Sequence, residues 1–145
     1  MNKIDEKIEE LKNLCKSKNM RLTPQRIEIY RTLLNSKEHP SAEMLYNQLK
    51  VTMPEISVDT IYRNLATLEN LGFIFRVDNQ LERARFDADQ TPHHHFLCTG
   101  CGEVYDIFDN VIDLSGYETN IGIIKNSNIQ FCGICNKCLE QKGDK

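Results

Sequence analysis

Two C-x-x-C pairs, Cys98-Thr99-Gly100-Cys101 and Cys135-Asn136-Lys137-Cys138, constrain this chain more than any other feature. Such a turn sets two thiols on one side of a tight loop, which is half of a tetrahedral metal shell, and Gly100 and Gly102 ease the first turn. Two half-sites complete the closed four-thiolate shell of a structural zinc, with no position left open for chemistry. The spacer exceeds the roughly 15–20 residues of a simple zinc ribbon, so an intervening sub-fold has to bring the pairs together. Zinc is the favoured reading, and a redox dithiol or two unrelated pairs are the alternatives. The expected compartment agrees. The stretch Met1-Asn2-Lys3-Ile4-Asp5-Glu6 lacks the basic-then-apolar order of a signal peptide. No apolar run approaches the roughly 18 residues of a membrane span. A cytoplasmic location follows as the expectation, where thiols stay reduced and six cysteines point to metal or packing before disulfides. Cys15 continues a helical stripe and Cys132 stands outside both pairs, so these two are read as packing residues or a spare thiol.

The first half of the chain has helical periodicity with clear punctuation. Ile4, Ile8, Leu11 and Cys15 predict an amphipathic helix over 3–17. Thr23 followed by Pro24 reads as an N-cap and first helical residue, with Ile27, Tyr30 and Leu34 turned inward. Ser41 caps a third helix bearing Leu45 and Leu49, and Ser57 a fourth with Val58, Ile61, Leu65 and Leu68 inward, ended at Gly72. The period then shortens to that of strands, 73–77 and 81–86, around a hairpin turn at Asp78-Asn79-Gln80. Helices closed by a hairpin describe a winged helix-turn-helix, against the plainer alternative of a helical bundle with an appended hairpin. On the fourth helix Asp59, Thr60, Tyr62, Arg63, Asn64 and Thr67 lie opposite the apolar stripe. Tyrosine, arginine, asparagine and threonine are residues that a major-groove helix offers to phosphates and base edges.

Net charge is −3 overall, yet residues 1–86 carry 14 basic and 12 acidic groups, while residues 87–145 carry 4 and 9. Every charge between Glu10 and Glu28 is positive: Lys12, Lys16, Lys18, Arg21 and Arg26. That block suits a polyanion and the acidic half suits cations. The DNA-contact candidates are Arg21, Ser57, Thr60, Tyr62, Arg63 and Asn64. Residues 87–145 read as a second domain with strands at 93–97, 104–108 and 123–131, a short helix at 110–117 and a polar tail from Gln141. The fold class expected is α+β: a winged-helix DNA-binding domain over 1–86 and a small α/β dimerisation domain over 87–145.

All four histidines, His39, His93, His94 and His95, bear on metal. On a strand His93 and His95 share a face and His94 takes the other. The i, i+2 pair can chelate one ion with Asp87, Asp89 and Asp106 near in sequence, and imidazole with carboxylate suits iron(II), manganese(II) or zinc better than calcium. For His94 the default is a hydrogen-bonded residue. If His39 reached the same ion, metal would tie the two halves together. A metalloenzyme would use similar ligands, but no nucleophile motif or substrate-pocket signature accompanies them, so no enzyme is expected. A zinc module binding RNA or protein leaves the histidines unexplained.

Taken in order, Thr23-Pro24-Gln25-Arg26, His39-Pro40-Ser41-Ala42, Ser57 to Leu65, Arg85-Phe86-Asp87, His93 to Gly102 and Cys135 to Cys138 resemble the ferric uptake regulator family of repressors. The resemblance implies a homodimer, a structural zinc on Cys98, Cys101, Cys135 and Cys138, and a regulatory ion whose binding closes the dimer onto a palindromic, AT-rich operator in double-stranded DNA. Within the family the chain looks most like the peroxide stress regulators (PerR type). Their sensing site maps to His39, Asp87, His93, His95 and Asp106, holding Fe2+ or Mn2+. Iron-uptake regulators more often carry glutamate where Asp87 stands, and their additional site draws on a downstream histidine absent here. The implied function is a metal-dependent repressor that senses hydrogen peroxide through iron-catalysed oxidation of His39 or His93. The alternative is a repressor of metal uptake genes that senses iron, manganese or zinc availability with no response to peroxide.

Overall fold

The computed structural model describes residues 2–77, 84–89, 91–125, 127 and 129–142. They form two compact units, Met1–Gln90 and Thr91–Lys145. The division falls later than the expected 86/87 boundary because Asp87 pairs with Phe75 as part of a strand of the first unit.

The first unit runs α1 (Lys3–Ser17), α2 (Pro24–Asn35), α3 (Ala42–Leu49), α4 (Val58–Asn70), β1 (Phe75–Val77) and β2 (Arg85–Asp87). Each helix starts on a side-chain cap that takes up one otherwise unpaired N–H. Asn2 accepts from the Asp5 amide, Thr23 from Arg26, Ser41 from Met44 and Ser57 from Thr60. Gly72, at φ 82°, supplies the left-handed residue that turns the chain out of α4. Leu11, Ile29, Tyr30, Leu45, Ile61, Leu65 and Leu68 fill the core, and Phe73 meets the Tyr30 ring edge-on at 5.4 Å. The inward stripes differ from expectation in detail. On α2 it is Ile29, Tyr30 and Leu33 that are buried, with Ile27 and Leu34 only partly covered, and Val58 on α4 is exposed. β1 and β2 pair antiparallel as a wing. The expected turn at Asp78-Asn79-Gln80 and the start of its second strand at 81–83 lie outside the described residues.

The second unit is a three-stranded sheet in the order β4-β3-β5, followed by α5 (Asn136–Lys142). β3 (His94–Cys98) is central, antiparallel to β4 (Val104–Ile107) and parallel to β5 (Gln130–Gly133). Two expectations fail here. No helix forms over 110–117: Asn110 has φ 54° and Gly116 φ 82°. Asp113 accepts both the amide and the hydroxyl of Ser115, and Ser127 takes the Leu114 N–H and donates to the Ile112 carbonyl. Side chains that bond the local backbone in this way compete with the helical ladder. Of the strand expected over 123–131, residues 126 and 128 lie outside the described residues, and among the rest Ile123 makes an isolated bridge to Glu118 while Gln130 and Phe131 open β5 (Gln130–Gly133). The helix α5, not foreseen, opens inside the second cysteine pair.

Candidate metal centres and recognition helix

Cys98 ends β3, and the turn after it closes with the Gly102 N–H donating to the Cys98 carbonyl at 2.8 Å. Cys135 precedes α5 and Cys138 lies in its first turn. The four thiols converge: Cys98 Sγ is 3.7 Å from Cys138 Sγ, and Cys101 Sγ is 3.9 Å from Cys135 Sγ. A zinc ion bound tetrahedrally at about 2.3 Å separates its sulfurs by about 3.8 Å, so the cluster has the dimensions of that ion. Cys98 Sγ also accepts backbone N–H groups from Cys135 at 3.3 Å and Cys101 at 3.4 Å. Those bonds pull its pKa down to about 6, whereas the neighbouring thiols Cys98 and Cys135 push Cys138 up to about 12. Backbone donors thus sustain some negative charge, and a dication is the partner that lets all four sulfurs ionise together. The fit is close at Gly100, where a Cβ would stand 3.1 Å from Cys138 Sγ. Tyr105, unmarked by any motif, packs from β4 with Phe96 and Ile134 around the thiols.

The imidazole and carboxylate donors form two constellations, one in each unit. In the first, His39 Nε2 stands 3.5 Å from Asp87 Oδ2 with both side chains buried, and the Asp89 N–H donates to the other Asp87 oxygen at 2.8 Å. In the second, the β3–β4 register sets Asp106 opposite His95. His93 Nε2 and His95 Nε2 are 3.2 Å apart, and Asp106 Oδ1 lies 3.4 Å from the first and 3.5 Å from the second. Ligand bonds of about 2.1 Å give donor–donor edges between about 3.0 Å (octahedral) and 3.4 Å (tetrahedral). The triangle therefore has the dimensions of one face of a divalent-ion shell. His93 Nδ1 faces the Thr91 carbonyl, which can only accept, so Nδ1 carries a proton there. The ring is stacked on Phe108 at 5.0 Å. His94 points to the other face, as alternation requires. Its ring lies between the backbone amides of Ile112 and Ile129, at 2.9 and 3.2 Å, and it tethers the irregular segment to the sheet. Cys15 is core, and Cys132 is an exposed thiol on β5.

On α4 Tyr62 is 51% exposed and Arg63 is open to solvent. Arg21 is exposed, Thr60 is half-buried, and the Ser57 hydroxyl is engaged in capping the helix at Thr60. Asn64 corrects the expectation that it faces outward. It is buried, accepts Arg26 Nε at 2.9 Å and donates to the Thr60 carbonyl at 2.8 Å. Arg26, through a second bond to the Arg21 carbonyl, joins the start of α2 to the middle of α4. No helix among the described residues is long and apolar enough to cross a membrane.

A winged helix-turn-helix unit in one chain with a thiolate zinc site and imidazole–carboxylate donors defines a metal-dependent transcriptional regulator and not an enzyme. The chain belongs to the ferric uptake regulator family, whose model matches residues 17–130. It is 32% identical to the peroxide-responsive repressor PerR of Staphylococcus epidermidis over 142 residues, 95% of this chain and 94% of that one. The fold is also that of the Helicobacter pylori ferric uptake regulator, a structure described as having three functional metal-binding sites (TM-score 0.76, 20% identity, 94% of each chain). A zinc uptake regulator solved with zinc and DNA matches over 99% of each chain (TM-score 0.68, 23% identity). The four thiols suit a structural zinc, and the imidazole and carboxylate donors suit a regulatory divalent ion.

Proposed function

We propose that the protein is a homodimeric repressor that leaves its DNA when hydrogen peroxide oxidises a histidine of the regulatory site. The observation that carries this reading is the donor set: three imidazoles and two aspartates, with the His93 ring oriented by the Thr91 carbonyl at Nδ1. The family resemblance assigns His39, Asp87, His93, His95 and Asp106 to one ion, and the S. epidermidis relative carries the peroxide-responsive name. A bound ion favours whichever arrangement of its ligands holds it more tightly, by the difference in affinity. In that arrangement the exposed Tyr62 and Arg63 of α4, with Arg21, Ser57 and Thr60, meet a palindromic, AT-rich operator, one half-site per protomer.

Bound iron(II) would start the cleavage of peroxide beside its ligands, while the imidazole that takes one oxygen supplies the two electrons of the net reaction and the other oxygen leaves as water. The residues then determine the consequence. His39 or His93 gains an oxygen atom, the altered ring is a poorer ligand, and the ion is lost. Asp87 and Asp106 hold the ion without being consumed. The four cysteines, closed around zinc, take no part.

The test uses duplexes selected from a random pool by manganese-loaded protein. Iron-loaded protein is expected to release them after a low dose of peroxide, with one added oxygen on His39 or His93 by peptide mass spectrometry, while manganese-loaded protein holds on. Release by chelator but not by peroxide would favour metal-availability sensing and overturn the peroxide reading.

A further inference from the structure

Three consecutive carbonyls, those of Glu38, His39 and Pro40, are engaged by β2. The Arg85 guanidinium donates from Nη2 to the Glu38 carbonyl and from Nε to the His39 carbonyl, and the Phe86 N–H donates to the Pro40 carbonyl at 3.1 Å. His39 itself has φ 52°, a left-handed conformation that a residue with a Cβ keeps only where its surroundings over-determine it. Two residues along the same strand from Arg85 is Asp87, whose Oδ2 faces His39 Nε2. One short strand therefore carries both a carboxylate of the candidate metal site and the clamp on the backbone of the histidine beside it.

We infer that Arg85 is a positioning residue for the regulatory metal. It fixes the backbone of His39 so that Nε2 is delivered to the side of Asp87 before metal arrives. Arginine suits this role because its Nε and Nη2 donors lie in one rigid plane and bond two successive carbonyls at once, which the single ammonium of lysine does not reproduce. Among the described residues the guanidinium bonds the carbonyl oxygens of residues 38 and 39. The alternative role for such a contact is to anchor the wing strand without consequence for metal. This inference rests on the reading that His39 and Asp87 are ligands.

The experiment titrates Mn2+ into the zinc-loaded full chain and measures thermal stability without Mn2+. Arg85→Lys and Arg85→Ala are expected to weaken Mn2+ binding by about 10–100-fold, the usual cost of losing a group that orients a ligand. Zinc content should be retained and the melting temperature of R85K without Mn2+ little changed. A merely structural role would lower that temperature and leave Mn2+ affinity alone, and R85K binding Mn2+ as tightly as the parent overturns the proposal. Arg85→Gln carries the test if the alanine variant fails to fold. His39→Ala and Asp87→Asn are titrated alongside. If they bind Mn2+ normally the ligand reading fails, and this inference falls with it. If they lose Mn2+ while the Arg85 variants keep it, only the inference falls.

Discussion

At His93 a backbone carbonyl orients the ring, and at Asp106 a single oxygen serves two imidazole nitrogens. The second arrangement needs a carboxylate, because an amide in its place brings no charge to balance a dication. Asp106→Asn should therefore weaken Mn2+ binding by at least about tenfold, a lower bound set by what outer groups alone contribute at such sites. Zinc stoichiometry, measured by elemental analysis, should not change. Gly100 carries a different demand. A methyl group 3.1 Å from Cys138 Sγ has to displace that sulfur or the turn. Gly100→Ala is expected to speed zinc transfer to a chromophoric chelator several-fold, with unaltered release from the parent as the contrary result. Gly100 stands in a motif readable from sequence, and Asp106 is reached through the family resemblance. Tyr105 is reached by neither, since its packing against the thiols depends on sheet register and no spacing rule encodes it.

Within α4 the helical period identifies Ile61, Leu65 and Leu68 as buried but misassigns Val58 and Asn64, and for Asn64 the reason is tertiary. Its partner, Arg26, is 38 positions away, and periodicity carries no information about a polar pair at that distance. Helices α1 to α4 were otherwise legible because each cap is a local interaction over three residues. The segment over 110–117 was not, because its Asp113, Ser115 and Ser127 bonds outcompete an apolar pattern that suits a helix. The two kinds of α4 residue should separate experimentally. Asn64→Ala leaves a partly buried guanidinium short of an acceptor, a loss of about 1–3 kcal/mol, read as a lower melting temperature. Arg63→Ala removes an exposed side chain, which usually alters stability by less than about 0.5 kcal/mol. It should weaken DNA binding and, if Arg63 contacts a phosphate, reduce the salt slope by about 1. Equal loss of stability in both variants would contradict this division.

Across the molecule the two units are held by different means. The first has a continuous apolar core from Ile8 to Ala88 that needs no ion. Among the described residues the second has Cys98, Cys135 and Cys138 as a buried cluster, with Phe96, Tyr105 and Ile134 packed on it, and Leu97 and Val104 are buried as well. Large side chains such as Phe108, Ile112, Tyr117, Ile121 and Ile123 remain exposed there. So small a cluster contributes little hydrophobic stabilisation, and for such domains metal binding supplies folding free energy directly. Without zinc, two of its thiols sit near one another at raised pKa and the pairs lose the tie between the end of β3 and the start of α5. Replacing Cys98 by serine, or stripping zinc with a strong chelator under reducing conditions, should therefore unfold residues 91–145 selectively. Amide signals of β3, β4 and β5 would collapse in a two-dimensional NMR spectrum while those of α1 to α4 persist. The exposed apolar side chains of the second unit would lose their arrangement as well, so size-exclusion chromatography should show loss of any dimer in step with zinc. A uniform loss of signals from both units would mean that the first depends on the second for its fold, and that zinc staples the whole chain.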